Sequence, residues 1–109
     1  MFEVLLSDSA KRDLRSNVDW WSEHRSESQA ELWYDSVMKA IYSLERNPQR
    51  CIVAREADLL GIELKNLWFG LSSKQTHRIL FTVDGGVVNV LRVLSARQNT
   101  DDLKLSTDG

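Results

Sequence analysis

The chain has 109 residues, a formal net charge of −2 and a pI near 5.6. That length makes one domain with room for a hydrophobic core, and 42% hydrophobic with 28% charged residues is an ordinary globular balance. The acidic balance argues against a protein built to grip phosphates strongly, because such proteins carry a surplus of Lys and Arg.

No apolar run reaches the ~20 residues that cross a bilayer, and the opening MFEVLLSDSAKRDL lacks the basic start and long apolar segment of a secretory signal. The single Cys51 allows no internal disulfide, which fits a reducing compartment. The expectation is a cytoplasmic protein with no membrane contact. A lone cysteine without a neighbouring histidine gives neither a metal site nor a nucleophile, so no cofactor is expected.

Taken in order, residues 2–6 (FEVLL) form an apolar run too short for a helix and read as a strand. Ser7, Asp8 and Ser9 then offer N-cap oxygens. Ala10, Leu14, Val18 and Trp21 recur at helical spacing, with Lys11, Arg12, Asp13 and Arg15 off the stripe. Trp20 and Trp21 widen the face to be buried, and residues 22–28 break the pattern. A second helix starts near Ser28 and Glu31, which have capping-box spacing, or alternatively at Ser26 with Gln29. Its stripe of Ala30, Trp33, Tyr34, Val37, Met38, Ile41 and Leu44 is the clearest in the chain, and Asn47-Pro48 stops it. Two helices joined by so short a link predict an antiparallel hairpin, with Trp20, Trp21, Trp33 and Tyr34 in its core.

Residues 49–61 show no period and read as a loop. Residues 62–69 (IELKNLWF) read as a strand stopped by Gly70. Residues 77–97 (HRILFTVDGGVVNVLRVLSAR) read as two strands around the turn at Asp84, Gly85 and Gly86. The second arm is apolar on both faces, which places it inside the sheet. Arg78 and Arg92 interrupt the apolar run and Arg97 closes it. After that the composition is polar and Asp-rich (QNTDDLKLSTDG), a tail with too little apolar surface to order itself. The expected fold is α+β: an N-terminal strand, a helical hairpin, then a three-stranded antiparallel meander. The helices cover one face of a four-stranded sheet. The domain spans 1–98 and the tail 99–109.

This arrangement resembles the RelE/ParE toxin superfamily. The resemblance rests on Ala10, Asp13 and Leu14 in the first helix and on Trp33, Val37, Ala40, Ile41 and Leu44 in the second. Asn47-Pro48 follows, then Lys65 and Leu67 before Gly70. His77-Arg78-Ile79-Leu80-Phe81 and the last strand, Val90 to Leu94 with Arg97, complete it. The resemblance implies a small cytosolic toxin of a bacterial type II toxin–antitoxin (plasmid stabilisation) system, wrapped by a cognate antitoxin. In one branch the relatives cleave messenger RNA on the ribosome. In the other they bind and poison DNA gyrase without catalysis of their own.

Cleavage by 2′-OH attack needs a proton acceptor, a proton donor to the leaving oxygen, and cations for the phosphorane. Carried over from the nuclease branch, the candidates are Arg78, Arg97, Lys65 and His77. Where many relatives place a histidine after the last strand this chain has Ser95, and no tyrosine follows Tyr42. The terminal acid–base group is therefore missing unless His77 replaces it from the open face. This favours a ParE-like toxin that inhibits gyrase by binding, with Arg78, Arg92 and Arg97 as the target-binding cations. The alternatives are a ribosome-dependent endoribonuclease and a family member that has lost toxicity. Structural pairing competes for each arginine, with Glu56, Glu63 and Asp84 as available carboxylates.

Overall fold

The structure, a computed structural model, describes residues 1–96. Strand β1 (Glu3–Leu6) leads into helix α1 (Asp8–His24) through Ser7. The Ser7 hydroxyl accepts from the Ala10 N–H at 3.0 Å and donates to the Leu91 carbonyl at 2.8 Å, so one side chain caps the helix and ties it to the sheet. Helix α1 continues to His24, past the point where the apolar stripe fails, because residues 22–24 are ordinary helix formers with their side chains in solvent. His24 stacks on Trp20 and its Nδ1 lies 3.0 Å from the Trp20 carbonyl in the last turn of the helix.

Helix α2 (Glu27–Tyr42) starts from Ser26, whose hydroxyl accepts from the Gln29 N–H at 3.1 Å. The second of the two cap positions is thus the one used, and Ser28 lies within the first turn. Ala30, Trp33, Val37 and Ile41 are its buried face. The chain then tightens into a 3₁₀ turn at Ser43–Glu45, which carries Leu44 into the core, and breaks at Asn47, held at φ 47° before Pro48.

The stretch read as a loop begins within a 3₁₀ turn at Pro48–Arg50 and holds two further small elements. Strand β2 (Ile52–Val53) is followed by helix α3 (Ala57–Leu60), which ends at Gly61 with φ 67°. Each is too short to register as a period. Strands β3 (Lys65–Phe69), β4 (His77–Asp84) and β5 (Val87–Ser95) form the expected meander, with Gly85 at φ 59° in the turn between the last two. The sheet has five strands in the order β1-β5-β4-β3-β2, one more than expected. Strand β1 runs parallel to β5, because the two helices carry the chain back across the sheet, and the remaining pairs are antiparallel.

A bulge explains the apolar run of β5. Leu80 pairs with Arg92 but Phe81 pairs with Val90, leaving Leu91 as the extra residue. The alternation restarts there. Val88, Val90 and Val93 face the helices, and Leu91 and Leu94 face away. Two cores result. The larger joins Trp33, Val37, Ile41 and Leu44 to Ile79, Phe81 and the β5 valines. The smaller packs Ala54, Ala57 and Leu64 on Leu80 and Leu94, so residues 54–64 cover part of the face expected to be bare. Of the aromatic stripe only Trp33 is fully buried; Trp20 and Tyr34 are 46% and 43% exposed. The tail beyond residue 98 falls outside the described residues.

Candidate functional site

Adjacent residues of a strand point to opposite faces of its sheet, and that parity decides how the candidate residues relate. His77, Ile79 and Phe81 face the helices. Lys65 shares that side, because it stands opposite Phe81. Arg78 points the other way, beside Asn66 and Trp68. The sheet therefore separates Arg78 from Lys65 and His77. These two lie at opposite ends of β3 and β4, four residues along the ladder, roughly 13 Å at the rise of a strand. Arg97 lies outside the described residues.

Arg78 is 3% exposed. Its Nη1 and Nη2 donate to Glu56 Oε2 and Oε1, both at 2.7 Å, and its Nε donates to Asn66 Oδ1 at 2.7 Å. This two-pronged, charge-assisted contact holds residues 54–64 against the sheet, and the guanidinium carbon also lies 5.7 Å from the Trp68 ring centre. Glu56 was one of the three carboxylates available by sequence. Arg92 takes a partner that was not. Its Nε and Nη2 donate to Asp13 of α1 at 2.7 and 2.9 Å, and Asp13 also accepts from the Val93 N–H at 2.9 Å. Asp13 thereby satisfies the β5 backbone just where β1 has left the sheet. By sequence Asp13 was a charged position off the apolar stripe, and nothing there pointed to a strand 79 residues away.

His77 is 7% exposed, with Trp33 and Phe69 around its ring. The Thr76 hydroxyl lies 2.8 Å from Nδ1 and Asn17 Oδ1 lies 2.9 Å from Nε2. Asn17 Nδ2 donates to the Asp13 carbonyl at 2.9 Å, which fixes the amide orientation. The arrangement suits the neutral ring with its proton on Nε2: Thr76 donates, Nδ1 accepts, and Nε2–H donates to Asn17. Burial holds the His77 pKa below its ordinary value. The ring is a clamp between β4 and α1 and does not reach the face that carries Arg78. Lys65 Nζ lies 3.4 Å from the Cys51 carbonyl. Burial pushes the Cys51 thiol up, and Arg50 and Lys65 nearby draw it partly back. Among the described residues no group of three or more His, Cys, Asp or Glu is placed to hold a metal ion, and no helix is long and apolar enough to cross a membrane.

A groove of about 910 Å³ lies between α1 and α2. Leu6, Leu14, Val18 and Met38 supply apolar lining, and Tyr34 and Tyr42 add aromatic surface. Lys11 and Arg15 line it from α1; Glu27, Glu31 and Asp35 line it from α2. By sequence Lys11 and Arg15 were only positions off the apolar stripe, and Glu31 was only a capping-box candidate. The available signal was their segregation by sign, with the acids of α2 at 27, 31 and 35 repeating every four residues.

A solved structure described as "Chromosomal ParDE TA system from P. aeruginosa" superposes with a TM-score of 0.69 at 16% identity, over 87% of this chain and 96% of that one. No similar chain was found among curated proteins. The family model of the ParE toxin of type II toxin–antitoxin system, parDE, matches residues 4–100. The chain belongs to that family of ParE toxins.

Proposed function

We propose that the chain is a toxin that acts by binding, with DNA gyrase as its target, and that a cognate antitoxin silences it in the bacterial cytoplasm. The observation that carries the binding mode is the division of the would-be nuclease residues by the sheet, with Arg78 neutralised by Glu56. General acid–base chemistry needs its groups within hydrogen-bond reach of one reacting centre, and residues on opposite faces of a covered sheet do not share one.

The groove between α1 and α2 supports the antitoxin half of the reading. Its lining combines apolar side chains with cations from one helix and carboxylates from the other. An amphipathic helix fits such a surface, with its apolar stripe on Leu14, Val18 and Met38. Its acidic edge then lies toward Lys11 and Arg15, and its basic edge toward Glu31 and Asp35.

The test is induction of the chain in a bacterial host, followed by a supercoiling assay with purified gyrase. Growth arrest, a DNA-damage response and loss of supercoiling are expected. Translation arrest with cleaved messenger RNA would overturn the binding reading, and normal growth would overturn toxicity itself.

A further inference from the structure

The free edge of β2 is the second surface that calls for a partner. Edge strands in natural proteins are blunted by charge, proline or a covering segment, yet Ile52 and Val53 are 60% and 64% exposed. Both are β-branched, the type that favours an extended neighbour. The backbone is also available. The Ala54 N–H donates to the Leu64 carbonyl at 2.8 Å, so Ala54 and Ile52 are the hydrogen-bonded positions of the β2–β3 ladder. Val53 lies between them and turns its N–H and C=O outward, and no described backbone group meets them.

The surroundings specify the charge of what would pair there. Residues 50–55, which lead into and out of β2, contain Arg50 and Arg55 and no carboxylate, although the whole chain is acidic. Arg50 is fixed in place, its guanidinium donating to the Arg46 and Asn47 carbonyls and to Ser43 Oγ. Lys65 stands directly across from Val53. Arg55 touches Glu56 only at 3.4 Å and is 65% exposed, while Glu56 is committed to Arg78. A second copy of this chain would bring these arginines against their own equivalents, so the cations disfavour self-pairing. We infer that the β2 edge receives an extended, acidic segment of a partner protein, which adds a sixth strand to the sheet through Val53 and sets its carboxylates against Arg55 and Lys65. This surface lies apart from the groove between the helices, and the inference does not depend on whether the chain is a toxin.

The probes are fluorescein-labelled peptides alternating valine with glutamate, and valine with lysine, followed by anisotropy and by amide chemical shifts of the full chain. The acidic peptide is expected to bind and the basic one not to, with the largest shifts at residues 51–54. Val53→Pro removes the outward N–H at an edge position that tolerates proline, and should abolish binding while the rest of the amide spectrum stays in place. The double variant Arg55→Gln, Lys65→Gln leaves the backbone intact and should weaken binding roughly tenfold at low salt, where surface charge pairs are least screened. Equal binding of both peptides, unchanged binding by Val53→Pro, or shifts centred on Lys11 and Arg15 would each overturn the inference.

Discussion

Glu56→Gln tests what holds residues 54–64 to the sheet. The substitution keeps the shape of the side chain and removes its charge, leaving the Arg78 guanidinium 3% exposed with no carboxylate on its fork. Two unit charges about 4 Å apart interact by roughly 4 kcal/mol at an effective dielectric of ~20. Breaking a buried pair by removing one partner costs about 3–5 kcal/mol, because the remaining charge stays desolvated. An exposed pair of the same geometry would be worth only about 0–1 kcal/mol. The two cases are far enough apart to tell by urea unfolding. Against a total stability of ~5–15 kcal/mol for a domain, the expected loss is large, and it corresponds to about 12–20 °C in Tm at ~4 °C per kcal/mol. The companion double variant Glu56→Leu, Arg78→Met removes both charges, and should recover most of the loss, since apolar replacement of a buried pair is often neutral or stabilising. A loss below about 1 kcal/mol for Glu56→Gln, or a double variant as unstable as the single, would refute the reasoning.

The remaining expectations follow from single contacts. His77 is held neutral by burial, with its folded pKa below the ordinary 6.5, so the unfolded chain binds an extra proton between that lowered pKa and 6.5. Stability should therefore be full above pH 6.5 and fall as pH drops below it, with a slope of at most about 1.4 kcal/mol per pH unit. His77→Gln should flatten that part of the profile measured by urea titration. Ile41→Ala, at a fully buried site in the larger core, should cost about 2–5 kcal/mol in the same assay. Ser26→Ala should cost about 0.5–2 kcal/mol and Ser28→Ala much less, because only Ser26 accepts the Gln29 N–H. Gly70→Ala should destabilise strongly, since a Cβ there would run into the Lys74 carbonyl oxygen.

Much of the fold was legible because its larger elements are long enough to show a period. The stripe from Ala30 to Leu44 and the meander from Lys65 onward needed only side-chain spacing and one turn. Strand β2, with two residues, and helix α3, with four, fell below that threshold. Their positions are fixed by contacts remote in sequence, Ala54 with Leu64 and Glu56 with Arg78. The same limit applied to the site. A sequence identifies arginines and carboxylates but does not say that Arg92 reaches Asp13, 79 residues away. The bulge at Leu91 hid a second feature: the near-continuous apolar run of β5 is two alternating segments out of phase, not one strand buried evenly along its length.

One point about the candidate residues needed no coordinates. His77 and Arg78 are neighbours, and once both are assigned to a regular strand they must leave the sheet on opposite sides. A histidine substituting for a missing acid–base group beside Arg78 would have required a bulge between them. The only register shift on β4 falls between Leu80 and Phe81, past both residues, and the extra residue is on β5. Each residue is then drawn into its own neutral or neutralised setting, His77 among Trp33, Phe69 and Asn17 and Arg78 on Glu56 and Asn66. Recreating a cationic nuclease face would mean removing Glu56, which uncovers Arg78 but also detaches the segment that buries Leu80 and Leu94. A gain in exposed charge there is tied to a loss of core.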